Sequence, residues 1–350
     1  MTKHCMHCNI RMDINSKPKT NQKFCSKRCR KNYHRKEKGL KTRLEKRRAN
    51  LRLNPEVRYL VAQCKRAKTV QILQGHTLAS FTETMDLLKD RPKGDVELCH
   101  IAPVKGKNRI GLFHCRNLFY GGAYQNRKLG KKYIAGGMSI RHEDLLPQWE
   151  VQEEMKSDEV LVKIEEYLVD VITQYLEIRP VRIDRKVSVV NKILGIDASL
   201  DFDTLIRRSH KFLIEQWANI THTRPYIKNP NRESKYLAYM DSLTRFIEYN
   251  NKSRKVLKSI RKTMVVGYMA LERTKQSNTY NKLFYVKYEP LINLKYCQAM
   301  LKNPQSWPVF KDIIYETAFN VLHGGEIDSK KFRRQIFSYL RFPDRACAIC

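Results

Sequence analysis

The sequence predicts a mainly helical protein with a small cysteine-rich head and one short, glycine-rich insert of strands. Three observations lead there. Apolar residues recur at three- and four-residue steps through most of residues 56–88 and 151–345. Four cysteines stand in two close pairs within the first 29 residues. Seven glycines lie between positions 106 and 137, where the helical period stops. With 350 residues and 42% hydrophobic content, the chain has material for two or three domains. The expected organisation is a four-cysteine zinc knuckle over 1–35, a basic helical arm or linker over 36–90, a strand-bearing module over 91–148 and an all-helical domain over 149–350.

The head comes first. Cys5-x2-Cys8, sixteen residues, then Cys25-x3-Cys29 offers four thiolates in two pairs. Zn²⁺ favours that set because a tetrahedral sulfur shell closes its coordination and leaves no position for water. A head this short has no core of its own, so bound metal would supply its folding energy. His4, His7 and His34 are nearby substitutes for one thiolate. The expected role is structural zinc.

The stretch Arg30–Arg48 holds ten basic and two acidic residues, with few apolar ones, and reads as a solvated helix or an extended arm. Residues 1–60 hold 19 basic and 4 acidic residues, so the positive field concentrates at this end. Arg30, Lys31, Arg35, Lys36, Arg47 and Arg48 are the expected nucleic-acid contacts here. Asn54-Pro55 breaks the chain, because a residue before proline is pushed out of the helical region. Helix follows from Glu56 to about Leu88, and Arg91-Pro92-Lys93-Gly94 turns into the glycine-rich insert.

After Pro147 the texture is helical again, except that Val181–Val190 alternates briefly as a strand would. Arg207–Lys211 and Lys330–Arg334 read as solvated helix faces. Residues 221–240 mix aromatics with bases, as single-strand binding surfaces do, but helix cores beside solvated lysines give the same mixture. Cys64, Cys99, Cys115 and Cys297 are scattered singly. Cys347-x2-Cys350 is a lone pair for which His323 is one conceivable co-ligand.

Lys+Arg number 68 against 35 Asp+Glu, giving +33 and a pI near 9.8. Such an excess speaks about partners rather than fold, and a polyphosphate is the simplest one. DNA is the expected partner, with RNA not excluded. A membrane is disfavoured, since no apolar run approaches the ~20 residues a spanning helix needs. The N-terminus lacks the apolar core of a signal peptide, and the cysteine spacing suits metal rather than disulfides, so the expected compartment is cytoplasmic. No P-loop, dinucleotide fingerprint or serine-nucleophile elbow is present.

Within ELCHIAPVKGKNRIGLFHCRNLFYGGAYQNRKLGKK (97–132) stand His100 with Ile101 and Pro103, then Asn117-Leu118, then Asn126-Arg127-Lys128, with eight residues between the two asparagines. This order resembles the HNH (ββα-metal) endonuclease family. The resemblance covers roughly residues 95–133. It implies a small ββα-metal module in which His100 is the general base, Asn117 the residue that orients it, and Asn126 a ligand of one catalytic Mg²⁺ or Mn²⁺. Arg127, Lys128, Lys131 and Lys132 would hold flanking phosphates.

One position departs from the family. The residue before the base is usually Asp or His, a second metal ligand, and here it is Cys99, a poor partner for a hard cation. Glu97 assisting in its place, a softer metal, or a site retained only for binding are the three outcomes, and Glu97 is the favoured one. His114 and Cys115 are further contributors weighed there. The head resembles treble-clef or zinc-ribbon knuckles of phage and bacterial nucleic-acid proteins, which would put a phage-encoded chain in the host cytoplasm. The functions implied are a metal-dependent DNA endonuclease, or else a non-catalytic nucleic-acid-binding regulator with a degenerate HNH fold, or an RNA-binding or RNA-cutting protein. The C-terminal helices would position substrate or a protein partner.

Overall fold

The computed structural model describes residues 3–12, 22–92, 94–225, 234–250, 253–274, 282–292 and 298–342. Cys297, Cys347 and Cys350 lie outside these, as does part of the mixed aromatic and basic stretch 221–240.

In chain order the first elements are β1 (Lys3–His4), β2 (Arg11–Met12), α1 (Lys27–Ala49), α2 (Pro55–Ala67) and α3 (Leu78–Lys89). Then come β3 (Val96–His100), β4 (Arg109–Gly111), β5 (Leu118–Gly122), α4 (Ala123–Leu129) and β6 (Ser139–Arg141). Helices follow: α5 (Ser157–Tyr167), α6 (Val169–Ile178), α7 (Arg185–Ile196), α8 (Phe202–Arg207) and α9 (His210–Ile220). The last are α10 (Lys235–Tyr249), α11 (Arg254–Thr274), α12 (Lys282–Tyr288), β7 (Met300–Leu301), α13 (Trp307–Leu322), α14 (Ser329–Ser338) and β8 (Leu340–Arg341). The protein is mainly helical, with a few short strands and an N-terminal cysteine cluster.

The chain forms two compact units, and each is built from two separate stretches: 1–59 with 169–226, and 60–168 with 227–350. The expected boundaries differ from these. Changes in composition suggest contiguous domains, but the apolar faces find their partners far away in sequence.

In the first unit, α1 begins at Ser26, whose side chain caps the Cys29 amide, and it buries no residue along its length. Helices α7, α8 and α9 share a small core of Val187, Val190, Ile193, Leu205, Ile206 and Leu213, joined by Leu53. The brief alternation at Val181–Val190 is not a strand. Asp184 caps the Lys186 amide, and Val187, Val190 and Ile193 then fall on one buried helical face. Residues 1–59 and 169–226 carry 28 basic and 11 acidic side chains, so a third of the chain holds about half of its positive excess.

In the second unit, the expected helix over 56–88 is divided. Helix α2 ends at Ala67, a buried turn spans Val70–Leu73, and α3 restarts behind a capping box of Thr77 and Ser80. Strands β3 and β5 pair antiparallel, with Cys99 opposite Phe119 and His100 opposite Leu118. The free edge of β5 is satisfied by α10: Tyr120 exchanges two hydrogen bonds with Ser242 Oγ, and the Gly122 amide donates to Tyr239 Oη at 2.8 Å. Cys99, Ile101 and Phe119 join the main core of α10, α11, α13 and α14, whereas Val96, Leu98 and Tyr120 pack with Leu87 and Ala238. The strand pair is thus buried on both faces by helices from both halves of the unit. Among the described residues, no helix is long and apolar enough to cross a membrane.

Candidate functional site

The four thiols of the head converge. The Sγ atoms of Cys5, Cys8, Cys25 and Cys29 all lie within 4.8 Å of one another, and no other such group of His, Cys, Asp or Glu occurs among the described residues. Separations of 3.5 Å (Cys8–Cys25), 3.4 Å (Cys25–Cys29) and 3.8 Å (Cys29–Cys8) are close to the ~3.8 Å edge of a tetrahedron with ~2.3 Å zinc–sulfur bonds. The quartet therefore fits a metal ion such as zinc. The β1–β2 hairpin brings in the first pair, and the first turn of α1 carries Cys29. Hydrogen bonds from the backbone of Cys8, ahead of other contacts, lower the Cys5 thiol to about 6. Its neighbours' thiols, Cys29 first, push Cys25 up to about 12.

The second candidate lies where β3, β5 and α4 meet. Helix α4 follows directly from β5 and packs on both strands. Across this junction Glu97 Oε2 accepts from Asn126 Nδ2 at 2.9 Å, and Glu97 Oε1 accepts from Arg127 Nε at 3.1 Å and Nη2 at 2.6 Å. Partial burial tends to raise the Glu97 carboxyl, but the bonds from Asn126 and Arg127 outweigh it and hold the group below its ordinary value. Glu97 and Asn126, each expected as a ligand of an ion, are here hydrogen-bonded to each other. The carboxylate's partner is a cation already on the chain, Arg127.

His100 stands apart from this pair. Side chains three residues apart in a strand leave opposite faces, and the His100 ring lies 5.9 Å from that of Phe113. Its Nε2 is buried with no hydrogen-bond partner. Burial, with a smaller contribution from the charge of Arg66, pushes the imidazole down to about 3, so the ring is neutral.

Asn117 is fully buried and does not bond the His100 ring through Nε2. Its Oδ1 accepts from the amides of Ala102 (3.0 Å) and Met138 (3.1 Å), and its Nδ2 donates to the carbonyls of Ala102 (3.2 Å) and Leu112 (2.8 Å). It orients the backbone just beyond His100, not the imidazole. Gly137 permits this closeness: it has φ +80°, and a Cβ there would come within 2.5 Å of Asn117 Oδ1.

Cys99 requires a correction as a metal ligand. Its side chain is completely buried in the main core, with Sγ 3.4 Å from the Glu97 carbonyl. Burial raises the thiol far above its ordinary range, which disfavours the thiolate that an ion would need. His114 and Cys115 are likewise interior. His114 stacks on His76 with centroids 4.6 Å apart, and burial, ahead of Glu83, pushes the Cys115 thiol up to about 11. His323 donates from Nδ1 to the Phe319 carbonyl (2.9 Å) and packs its ring against Phe119 and Phe319, a core role.

The expected phosphate contacts divide in two. Arg30, Lys31, Arg35 and Lys36 lie along α1, which buries none of its residues, and Lys131 and Lys132 are exposed after α4. Arg127 is 75% exposed though paired with Glu97, and Lys128 lies 4.0 Å from Glu316. Arg47 is a correction. Its guanidinium donates to the carbonyls of Leu176 (2.5 Å) and Glu177 (3.0 Å), which close α6, and Arg48 reaches Thr173 at 3.4 Å. Carbonyls in a helix's last turn lack intrahelical donors, and Arg47 supplies one.

Sequence reasoning missed the cavity beside α4, whose far wall is α13. Those residues lie almost two hundred positions downstream, and no local pattern connects them. Comparison with known protein families, with curated proteins and with solved structures found no match for this chain.

Proposed function

We propose that this chain is a divalent-metal-dependent DNA endonuclease of the HNH type, with a zinc-loaded four-cysteine head and a basic α1 that grips the backbone. The observation that carries the reading is the Glu97–Asn126 contact between the strand pair and the helix that follows it. A carboxylate and an amide oxygen are hard donors, suited to Mg²⁺ or Mn²⁺, and Cys99 is not needed to complete them. The ion would neutralise charge on the phosphate and leaving oxygen. Arg127 balances Glu97 meanwhile and is placed to exchange that carboxylate for a phosphate. Asn117 fixes the turn after β3 and so the backbone that carries His100. The neutral imidazole would take the proton from water at Nε2, which is buried and without a partner inside the protein, so water must first be admitted to it.

The test is nicking of supercoiled plasmid with Mg²⁺ or Mn²⁺, with and without chelator. Wild type should nick only with the ion, and Glu97→Ala and His100→Ala should bind DNA yet leave it intact. Absence of ion-dependent cutting by pure wild type would overturn the enzymatic reading.

A second reading is a nucleic-acid-binding regulator without catalysis. Two observations favour it: Glu97 and His100 leave opposite faces of β3, and Arg127 already neutralises the carboxylate. Binding without cutting at any divalent concentration would support it. DNA and RNA are separated by competition at one fixed salt concentration, because both affinities fall steeply with ionic strength.

A further inference from the structure

Beside the Glu97 site, between α4 with its following turn and α13, the second unit holds a cavity of about 500 Å³. That size lies within the roughly 300–1,000 Å³ of small-molecule pockets. Its composition is specific. Leu129, Ile134, Phe319 and Ile327 give it an apolar lining. Gln125 and Asn320 also line it; the buried Gln125 Oε1, without a hydrogen-bond partner, lies against Gly122, and the Asn320 amide against Gly325. Lys128, Lys132, Glu316 and Thr317 complete the wall. Next to the lining residue Ile134, the Ala135 carbonyl packs against Gly324 (φ +81°), where a side chain would otherwise stand.

We infer that this cavity receives an unpaired nucleobase of the strand whose backbone runs along α4, an inference that rests on the nucleic-acid reading above. A phosphate alone is the wrong ligand, since the Glu316 carboxylate lies 4.0 Å from Lys128 and would repel it. A flat ring with polar edges suits apolar walls and amides, while the two lysines and neighbouring Arg127 take the phosphates on either side. Glu316 is an acceptor for an exocyclic amine, which cytosine has and thymine lacks. Outside the cavity, Tyr124 is 62% exposed with Lys128 Nζ 5.9 Å from its ring centre, and Tyr133 is 56% exposed. These rings offer stacking surfaces to the adjacent bases. The substrate class implied is single-stranded or locally unpaired nucleic acid.

The experiment uses the full chain and fluorescence anisotropy at one salt concentration. The probes are oligodeoxycytidylate about 12 nucleotides long, within the ~4–16 nucleotides of single-strand sites, oligothymidylate, an abasic strand of equal charge and a duplex of equal length. Wild type should bind the cytosine strand about tenfold more tightly than the abasic one, the order of one base stack. Thr317→Leu/Asn320→Leu, which fills the cavity, should lose that preference and keep its abasic affinity. Glu316→Ala, an exposed change that leaves the fold alone, should erase the preference for cytosine over thymine. Equal wild-type affinity for base-bearing and abasic strands, with duplex binding intact, overturns the base pocket and leaves the nucleic-acid reading standing. A preference that survives in the folded, cavity-filled variant overturns it too, as does an unchanged cytosine-to-thymine ratio in Glu316→Ala. Failure to bind all four probes overturns both.

Discussion

Asn126 Nδ2 sits 2.9 Å from Glu97 Oε2, so an amide on α4 and a carboxylate on β3, 29 residues apart, share one hydrogen bond. Arg127, the next residue, holds the carboxylate's other oxygen. The two neighbours have opposite consequences for a cation. In the proposed site the amide would turn its oxygen to the ion, whereas the guanidinium competes with the ion for the carboxylate's charge.

Arg127→Ala should therefore strengthen Mn²⁺ binding several-fold, and Asn126→Ala should weaken it. Titration of free Mn²⁺ by electron paramagnetic resonance reads both directly. The reverse order would count against an oxygen-donor site at Glu97.

The head should carry one zinc per chain, released by thiol modification and measured with a colorimetric chelator. Cys8→Ser and Cys29→Ser should each lose it. Chelation should open the β1–β2 hairpin and the first turn of α1 to proteolysis, because the thiols that join them would no longer be held by an ion.

Asn117→Leu should be severely destabilising. The change removes four hydrogen bonds to backbone groups of Ala102, Leu112 and Met138 in a fully buried position. Buried unsatisfied groups cost about 1–3 kcal/mol each, partly relieved by relaxation, so a loss of roughly 3–5 kcal/mol is expected in urea unfolding. A loss under about 1 kcal/mol would show that the turn after β3 does not depend on this amide.

Stability should fall on acidification between about pH 6.5 and pH 4. Burial, then the adjacent His114, lowers the His76 imidazole to about 4, although its bond to the Phe113 carbonyl opposes the shift. A depressed folded value means the unfolded chain binds the extra proton first. The contribution is complete above the unfolded value near 6.5 and is lost as pH drops through about 4. Its size is on the order of 3 kcal/mol at ~1.4 kcal/mol per unit. Urea midpoints against pH should slope less in His76→Gln than in wild type, and parallel slopes would exclude His76 as the source.

Arg47 and Lys31 should behave differently despite sharing a helix. Arg47→Ala removes the cap on α6 and should cost about 1 kcal/mol of stability. Lys31→Ala, on the surface, should leave stability unchanged and reduce the salt dependence of DNA binding by about one unit of slope. Equal effects of the two on binding would return Arg47 to the contact surface.

The head was legible in the sequence because coordination chemistry dictates ligand type and spacing over a short span. The helix limit at Asn54-Pro55 follows from a similar cause, since proline acts locally, whereas the break before Thr77 lies inside the single helix expected over 56–88. Asn126 comes through the resemblance, and Glu97 from its place two residues before Cys99 on one side of a strand. Whether Arg127 or an ion faces Glu97 was not legible, because a phosphate-binding arginine and a carboxylate-pairing one have the same sequence. The burial of Cys99 depends on Phe319, more than two hundred residues later, and the duty of Arg47 depends on carbonyls of α6. Such long-range partners leave no periodic trace.

The interleaving of the two units constrains how the molecule can be made and divided. A nascent chain released up to residue 168 has completed neither unit, since each still awaits a second stretch of sequence. The cysteine quartet, finished by Cys29, can trap its ion while everything else is still being translated. For the same reason, a fragment cut to residues 91–148 would expose both faces of β3 and β5, and should aggregate rather than fold.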